Sequence, residues 1–173
     1  MNHFRFVILF CGVAVLLVAV ATPKSALAWT WNYKAVTYNG PGLCVRGDAG
    51  IDHSRPGSFS GNLAYATTYA FNNACGAGLD LPNGWAASRL DVYKYVGSTW
   101  VVCRRTDWHY GGTSKGKWVG DLFIGPTGPS SFLDYGGAAS CGAGWYGTMA
   151  YTSVWDGSKW RGGSVWSGYE WVQ

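Results

Sequence analysis

Leu90-Asp91-Val92-Tyr93-Lys94-Tyr95-Val96-Gly97-Ser98-Thr99-Trp100-Val101-Val102-Cys103 decides the fold. Two β-forming runs meet at a Gly-Ser turn, the strongest short-range signal for a hairpin. Leu90 and Val92 fall on one face of the first run, Tyr93 and Tyr95 on the other. A strand with large side chains on both faces either lies between layers or offers one face to a ligand. The turn returns sixty positions later, where Trp155-Asp156-Gly157-Ser158-Lys159-Trp160 follows the run from Ala150.

Further echoes extend the pattern. Leu43-Cys44-Val45-Arg46-Gly47-Asp48 resembles Val102-Cys103-Arg104-Arg105-Thr106-Asp107, and Cys75-Gly76-Ala77-Gly78 is repeated as Cys141-Gly142-Ala143-Gly144. Each of the latter cysteines has a tyrosine six residues before it, Tyr69 and Tyr135. The sequence therefore reads as two related units, 29–84 and 85–144, and a half unit, 145–173. Runs of β-formers are bounded throughout by Gly, Pro, Asn and Asp, and no helical period appears after residue 28. The predicted fold class is all-β: a disulfide-stabilised antiparallel β-sandwich or flattened barrel of eight to ten strands, completed by a terminal hairpin. Lys117–Phe123 reads as one strand, and Trp160–Trp166 and Tyr169–Val172 as two.

Residues 1–28 carry the marks of a secretory signal peptide. Arg5 precedes an apolar run from Phe6 to Ala21, and Ala26-Leu27-Ala28 supplies small residues for cleavage. That run is shorter than the roughly 20 residues a membrane span requires. The expectation is a secreted, extracellular single domain, 29–173, without membrane attachment once the signal is cleaved. Its charge is nearly balanced and it has no basic run, which argues against nucleic acid as a partner.

Cys44, Cys75, Cys103 and Cys141 remain after cleavage, an even number that implies two disulfides. Three pairings are open, and Cys44–Cys75 with Cys103–Cys141 is favoured because it is local in sequence. No Cys-x-x-Cys spacing suggests zinc, and the histidines lack metal-binding spacing, so no metal and no cofactor is expected.

Two loops are expected just after the first cysteine of each unit. Gly47–Asn62 contains Asp52, His53, Arg55 and Pro56. Asp107–Lys117 contains Trp108, His109 and Tyr110 ahead of Gly111-Gly112. Asp107 and His109 would share one side of an extended segment, with Trp108 and Tyr110 on the other. Sugar rings present apolar C–H faces that stack on aromatic rings, whose N–H and O–H groups reach hydroxyls. Trp108, Tyr110, Trp118, His109 and Asp107 are thus the candidate ligand-binding residues, and a glycan or cell-surface polymer is the candidate ligand. Trp100, Trp155 and Trp160 bracket hairpin turns and read as core instead.

Other readings have less behind them. No Gly-x-Ser-x-Gly occurs, no spacing selects a Ser–His–Asp set, and most carboxylates sit in turn signals, so no catalytic residue is assigned. Arg46-Gly47-Asp48 spells an adhesion tripeptide, but it reads as part of the repeat. A secreted protein-interaction module, such as a hydrolase inhibitor or a surface-assembly protein, is the principal alternative. A small secreted hydrolase is the second.

Overall fold

A computed structural model of the chain describes residues 29–53, 63–135 and 141–172, with the side chains of Trp29 and Trp118 left aside. The expected signal segment lies outside the described residues, as do residues 54–62 of the first expected loop.

The described chain is all β. Its strands are β1 (Trp29–Tyr38), β2 (Leu43–Asp52), β3 (Leu63–Asn72), β4 (Leu81–Val96), β5 (Thr99–Arg105), β6 (His109–Thr113), β7 (Lys117–Val119), β8 (Leu122–Ile124), β9 (Ser130–Asp134), β10 (Gly144–Trp155) and β11 (Trp160–Val172). One antiparallel sheet has the order β1-β2-β3-β9. The other runs β11-β10-β4-β5, with β6 also paired to β4. The sheets pack face to face, β2 against β10 and β11, and β3 against β4 and β10. They form an open sandwich rather than a closed barrel, and β7 and β8 make a separate small hairpin.

Both echoed turns close with the same register, Tyr95 opposite Trp100 and Trp155 opposite Trp160. They differ inside the turn. Gly97 and Ser98 both have positive φ, whereas in the second turn only Gly157 does. There the Asp156 carboxylate instead accepts from the Ser158 and Lys159 amides at 2.8 and 2.9 Å, and from Arg161 Nε at 2.6 Å. The Arg161 bond leads these in holding the Asp156 carboxyl below the usual carboxylate range.

The interior mixes alanines with larger apolar side chains. Ala49, Ala64, Ala66 and Ala150 join Ile51, Leu90, Val92 and Val165 in the core, with Tyr135 and Tyr146 its largest fully buried members. Small residues let the sheets approach closely enough for direct hydrogen bonds between them. Thr68 Oγ1 of β3 donates to the Ala87 carbonyl of β4 at 2.7 Å. Ser88 Oγ donates to the Ala66 carbonyl at 3.1 Å, and Ser131 Oγ of β9 to the Ser88 carbonyl at 2.9 Å. Gly47 is small for the same reason: a Cβ there would collide with the Thr152 side chain on β10.

No described tryptophan side chain is buried. This corrects the expectation that Trp100, Trp155 and Trp160 fill the core. Where β3 and β9 meet β4, the layers are joined through alanine, serine and threonine, and these three indoles lie on the outer face.

Four segments also differ from expectation. Asp107–Lys117 is not a free loop, because β6 within it pairs Ala86, Ala87 and Ser88 of β4 with Gly111, Tyr110 and His109. Lys117–Phe123 is two strands folded about Gly120, whose φ is +58°. β11 is continuous through the expected break, where Gly168 (φ +91°) accommodates a bulge opposite Gly147 and Met149. In β2, Gly47–Asp52 extends the strand rather than opening a loop.

The disulfides are Cys44–Cys75 and Cys103–Cys141, with Cα separations of 5.3 and 6.1 Å. Two bridges are compatible with an extracellular protein. Among the described residues no helix is long and apolar enough to cross a membrane.

One ionisable cluster ties the two layers together. Glu170 of β11 is buried, accepts from Tyr135 Oη at 2.9 Å and lies 3.3 Å from Nδ1 of His53, which follows β2. Burial raises the Glu170 carboxyl above its ordinary value, although the Tyr135 hydrogen bond and the His53 imidazole oppose the shift.

Two predictions come from this architecture. Replacing Cys44 and Cys75 together by alanine should lower the unfolding free energy by up to about 3.5–4 kcal/mol, since the bridge closes a loop spanning 31 positions. Urea denaturation checks this, and an unchanged midpoint would contradict it. Glu170 holds its proton more tightly when folded, so its contribution is complete below pH 4.5 and is lost as pH rises through the raised folded value. Glu170→Gln keeps an acceptor for Tyr135 but cannot ionise. Its stability should fall less than that of wild type as pH rises from 4.5 to neutrality, measured by denaturation at each pH. Parallel curves would refute the assignment.

Candidate functional site: the outer face of the five-stranded sheet

The pleat that sends Leu90 and Val92 into the core sends Arg89, Asp91, Tyr93 and Tyr95 outward. Register then gathers their neighbours. Tyr151 of β10 stands opposite Arg89, Val102 and Trp100 of β5 opposite Tyr93 and Tyr95, and Tyr110 of β6 opposite Ala87. β11 contributes Trp160 and Trp166. Aromatic side chains consequently extend over most of this face.

Two grooves open on it. Trp108, Tyr110, Ser153 and Trp160 surround the first, of about 250 Å³, with Ala87 among its lining residues. Its rings are 38%, 55% and 43% exposed for Trp108, Tyr110 and Trp160. Tyr110 and Trp160 meet edge to face with centroids 5.9 Å apart, and Trp155 packs on Trp160 at 5.8 Å. Tyr95, Trp100, Trp145 and Tyr169 line the second groove, of about 450 Å³. Trp100 stacks 5.2 Å from Tyr95 and 5.0 Å from Trp166, while Trp145 lies 5.4 Å from Tyr169 and 5.5 Å from Trp171.

A charged and phenolic patch lies between the grooves. Asp91 is fully buried and accepts from Arg105 through both carboxylate oxygens, Nε at 2.8 Å and Nη2 at 2.6 Å. Arg89 is ion-paired with the same carboxylate at 3.7 Å, too far for a hydrogen bond, and its buried Nε has no hydrogen-bond partner. Its guanidinium lies instead over Tyr151, 4.3 Å from the ring centroid, and 5.4 Å from that of Trp108. Tyr93 is hydrogen-bonded to Tyr151, which pushes the Tyr93 phenol up to about 12.

The sequence-predicted residues divide here. Trp108 and Tyr110 line one groove together. His109 stands opposite Ser88 and points away from them, and Asp107 precedes the strand; both are exposed. Trp118 lies on β7, outside this sheet, and its side chain is not among those described. Sequence reasoning missed Trp160, Trp100, Trp145 and Tyr169 as lining residues. The alternation of β10 and β11 carried the signal, because Tyr151, Ser153 and Trp155 oppose the buried set Ala150, Thr152 and Val154.

The opposite sheet is aromatic outside as well. Arg46 sits 4.4 Å from the Tyr33 ring centroid and donates to both carboxylate oxygens of Asp48, at 2.7 and 3.0 Å. The Arg46-Gly47-Asp48 tripeptide is thereby engaged with itself on a central strand. Among the described residues, no group of three or more His, Cys, Asp or Glu side chains could hold a metal ion.

Comparison of the chain with protein-family models, with curated proteins and with solved structures finds no match.

Proposed function

We propose that this is a secreted, non-catalytic binding domain that recognises a glycan through the outer face of its five-stranded sheet. The observation that carries the reading is the convergence of Trp108, Tyr110 and Trp160 on one open groove. These rings come from β11, β6 and the segment just before β6, and a rigid sheet holds them. Such a lining suits a ligand with apolar ring faces and hydroxyl edges: flat surfaces for stacking, with an indole N–H, a phenol and a serine hydroxyl within the same groove. The signal-like residues 1–28 support secretion, and the two disulfides are compatible with it.

Rings already fixed by a sheet and by one another lose little freedom when a ligand arrives. Removing one stacking ring should therefore cost about 1–3 kcal/mol of binding, a roughly 5- to 150-fold loss of affinity. Trp108→Ala and Trp160→Ala should each weaken retention on insoluble polysaccharides by this amount while changing the melting temperature little, since both side chains are substantially exposed. The measurement is a pull-down on a polysaccharide panel, with thermal denaturation of the same preparations. Wild type that binds none of the panel, or variants that lose stability and keep binding, would overturn the reading.

A further inference from the structure

Resting on that reading, we propose that the ligand is an extended acidic polysaccharide, whose chain crosses from the Trp108 groove to the Trp145 groove and whose carboxylates pair with Arg89 between them. Two independent features of the face lead there.

The first is charge. Asp91 offers one negative charge, and Arg105 satisfies it through a bidentate bond. Arg89 is thus a second cation beside a carboxylate already engaged, with its side chain partly exposed on the face. The face carries one positive charge in excess at this point. Tyr151 and Trp108 hold the guanidinium in place, so a carboxylate arriving on a sugar chain would meet a pre-positioned cation. A neutral glycan would use the rings and leave the excess charge unneutralised. Because Arg89 touches Trp108, a groove ring, stacking and charge pairing would fall on adjacent sugar units.

The second is spacing. Trp145 lines one groove and Ser153 the other, eight residues apart on the same strand. At the rise of a β-strand that is on the order of 26 Å. Tyr95 and Ala87 stand at the same interval on the adjacent β4, so the grooves are fixed relative to each other by two paired strands. A terminal sugar or a short oligomer fills one groove, whereas a chain long enough to span the interval engages both. The second contact is then intramolecular, which can raise affinity on the order of a hundredfold without any new kind of interaction.

The test uses galacturonan, whose charge can be masked without changing its rings. Wild type is titrated by isothermal calorimetry with polygalacturonate, with its fully methyl-esterified form, with galacturonate oligomers of increasing length, and with dextran sulfate as a control for charge alone. The proposal expects polygalacturonate to bind about tenfold or more tightly than the ester, the size of one charge-assisted hydrogen bond. It also expects a steep rise in affinity once oligomers reach the second groove. In Arg89→Gln the ratio of acid to ester affinity should fall towards one, with circular dichroism and melting curves showing that the variant is folded. If Arg89→Gln does not fold, the acid-to-ester ratio and the length series of wild type still decide the matter. Equal binding of acid and ester, or affinity that does not rise with length, overturns this inference and leaves the glycan reading standing. Equal or tighter binding to dextran sulfate reduces the face to a non-specific cation and also overturns it. Binding to none of these polymers, nor to any neutral polysaccharide, removes both.

Discussion

Three hydroxyl groups, those of Thr68, Ser88 and Ser131, hydrogen-bond to backbone carbonyls of the facing sheet. The rest of the structure depends on the closeness this demands. Sheets in a sandwich ordinarily stand about 10 Å apart, a gap filled by interdigitating large side chains. Here part of the gap is closed by alanine, serine, threonine and a glycine at position 47, and the hydroxyls of Thr68, Ser88 and Ser131 inside it are satisfied by the opposite backbone. A chain with eleven tryptophans and eleven tyrosines must then put most of those rings elsewhere. They cover the outer faces, where packing against one another fixes their positions. The interior thus determines the surface chemistry, and the surface chemistry is what the protein offers to a ligand.

The hairpin signals made the all-β class legible, because Gly97-Ser98 and Gly157-Ser158 meet a local steric requirement that long-range packing does not alter. Local cysteine pairing was legible too, although only by proximity in sequence. Alternation in Leu90–Tyr95 separated its inner from its outer face correctly. What could not be read was the distance between the layers. Trp100 and Trp160 look like core residues to any reasoning that assigns the largest apolar side chains to the interior. The hydroxyl bridges and the Gly47–Thr152 contact, both non-local, show where the layers meet through small residues, with these rings on the outer face.

β6 shows the same limit at a smaller scale. His109-Tyr110-Gly111-Gly112-Thr113 has two glycines and no long apolar alternation, so it reads as loop. It becomes a strand because the first half of β4, beyond the reach of β5, has an unpaired edge for it to join. That pairing turns Tyr110 onto the outer face beside Trp108, and Trp160 arrives from β11. The groove is assembled from segments about fifty residues apart, and no local pattern in either segment announces the other. Arg89 was equally hidden, since its surplus charge exists only because Arg105 reaches Asp91 first.

The central claim is that the tryptophans are displaced outward by a small-residue interior and are thereby available to ligand. The most direct measurement is paramagnetic broadening of the indole N–H signals in nitrogen-15 spectra by a soluble relaxation agent, with and without a bound oligosaccharide. The account predicts that Trp108, Trp145 and Trp160 broaden strongly in the free protein and that Trp108 and Trp160 become protected when the sugar is present. Indole signals protected already in the free protein would place these rings in a core and contradict it.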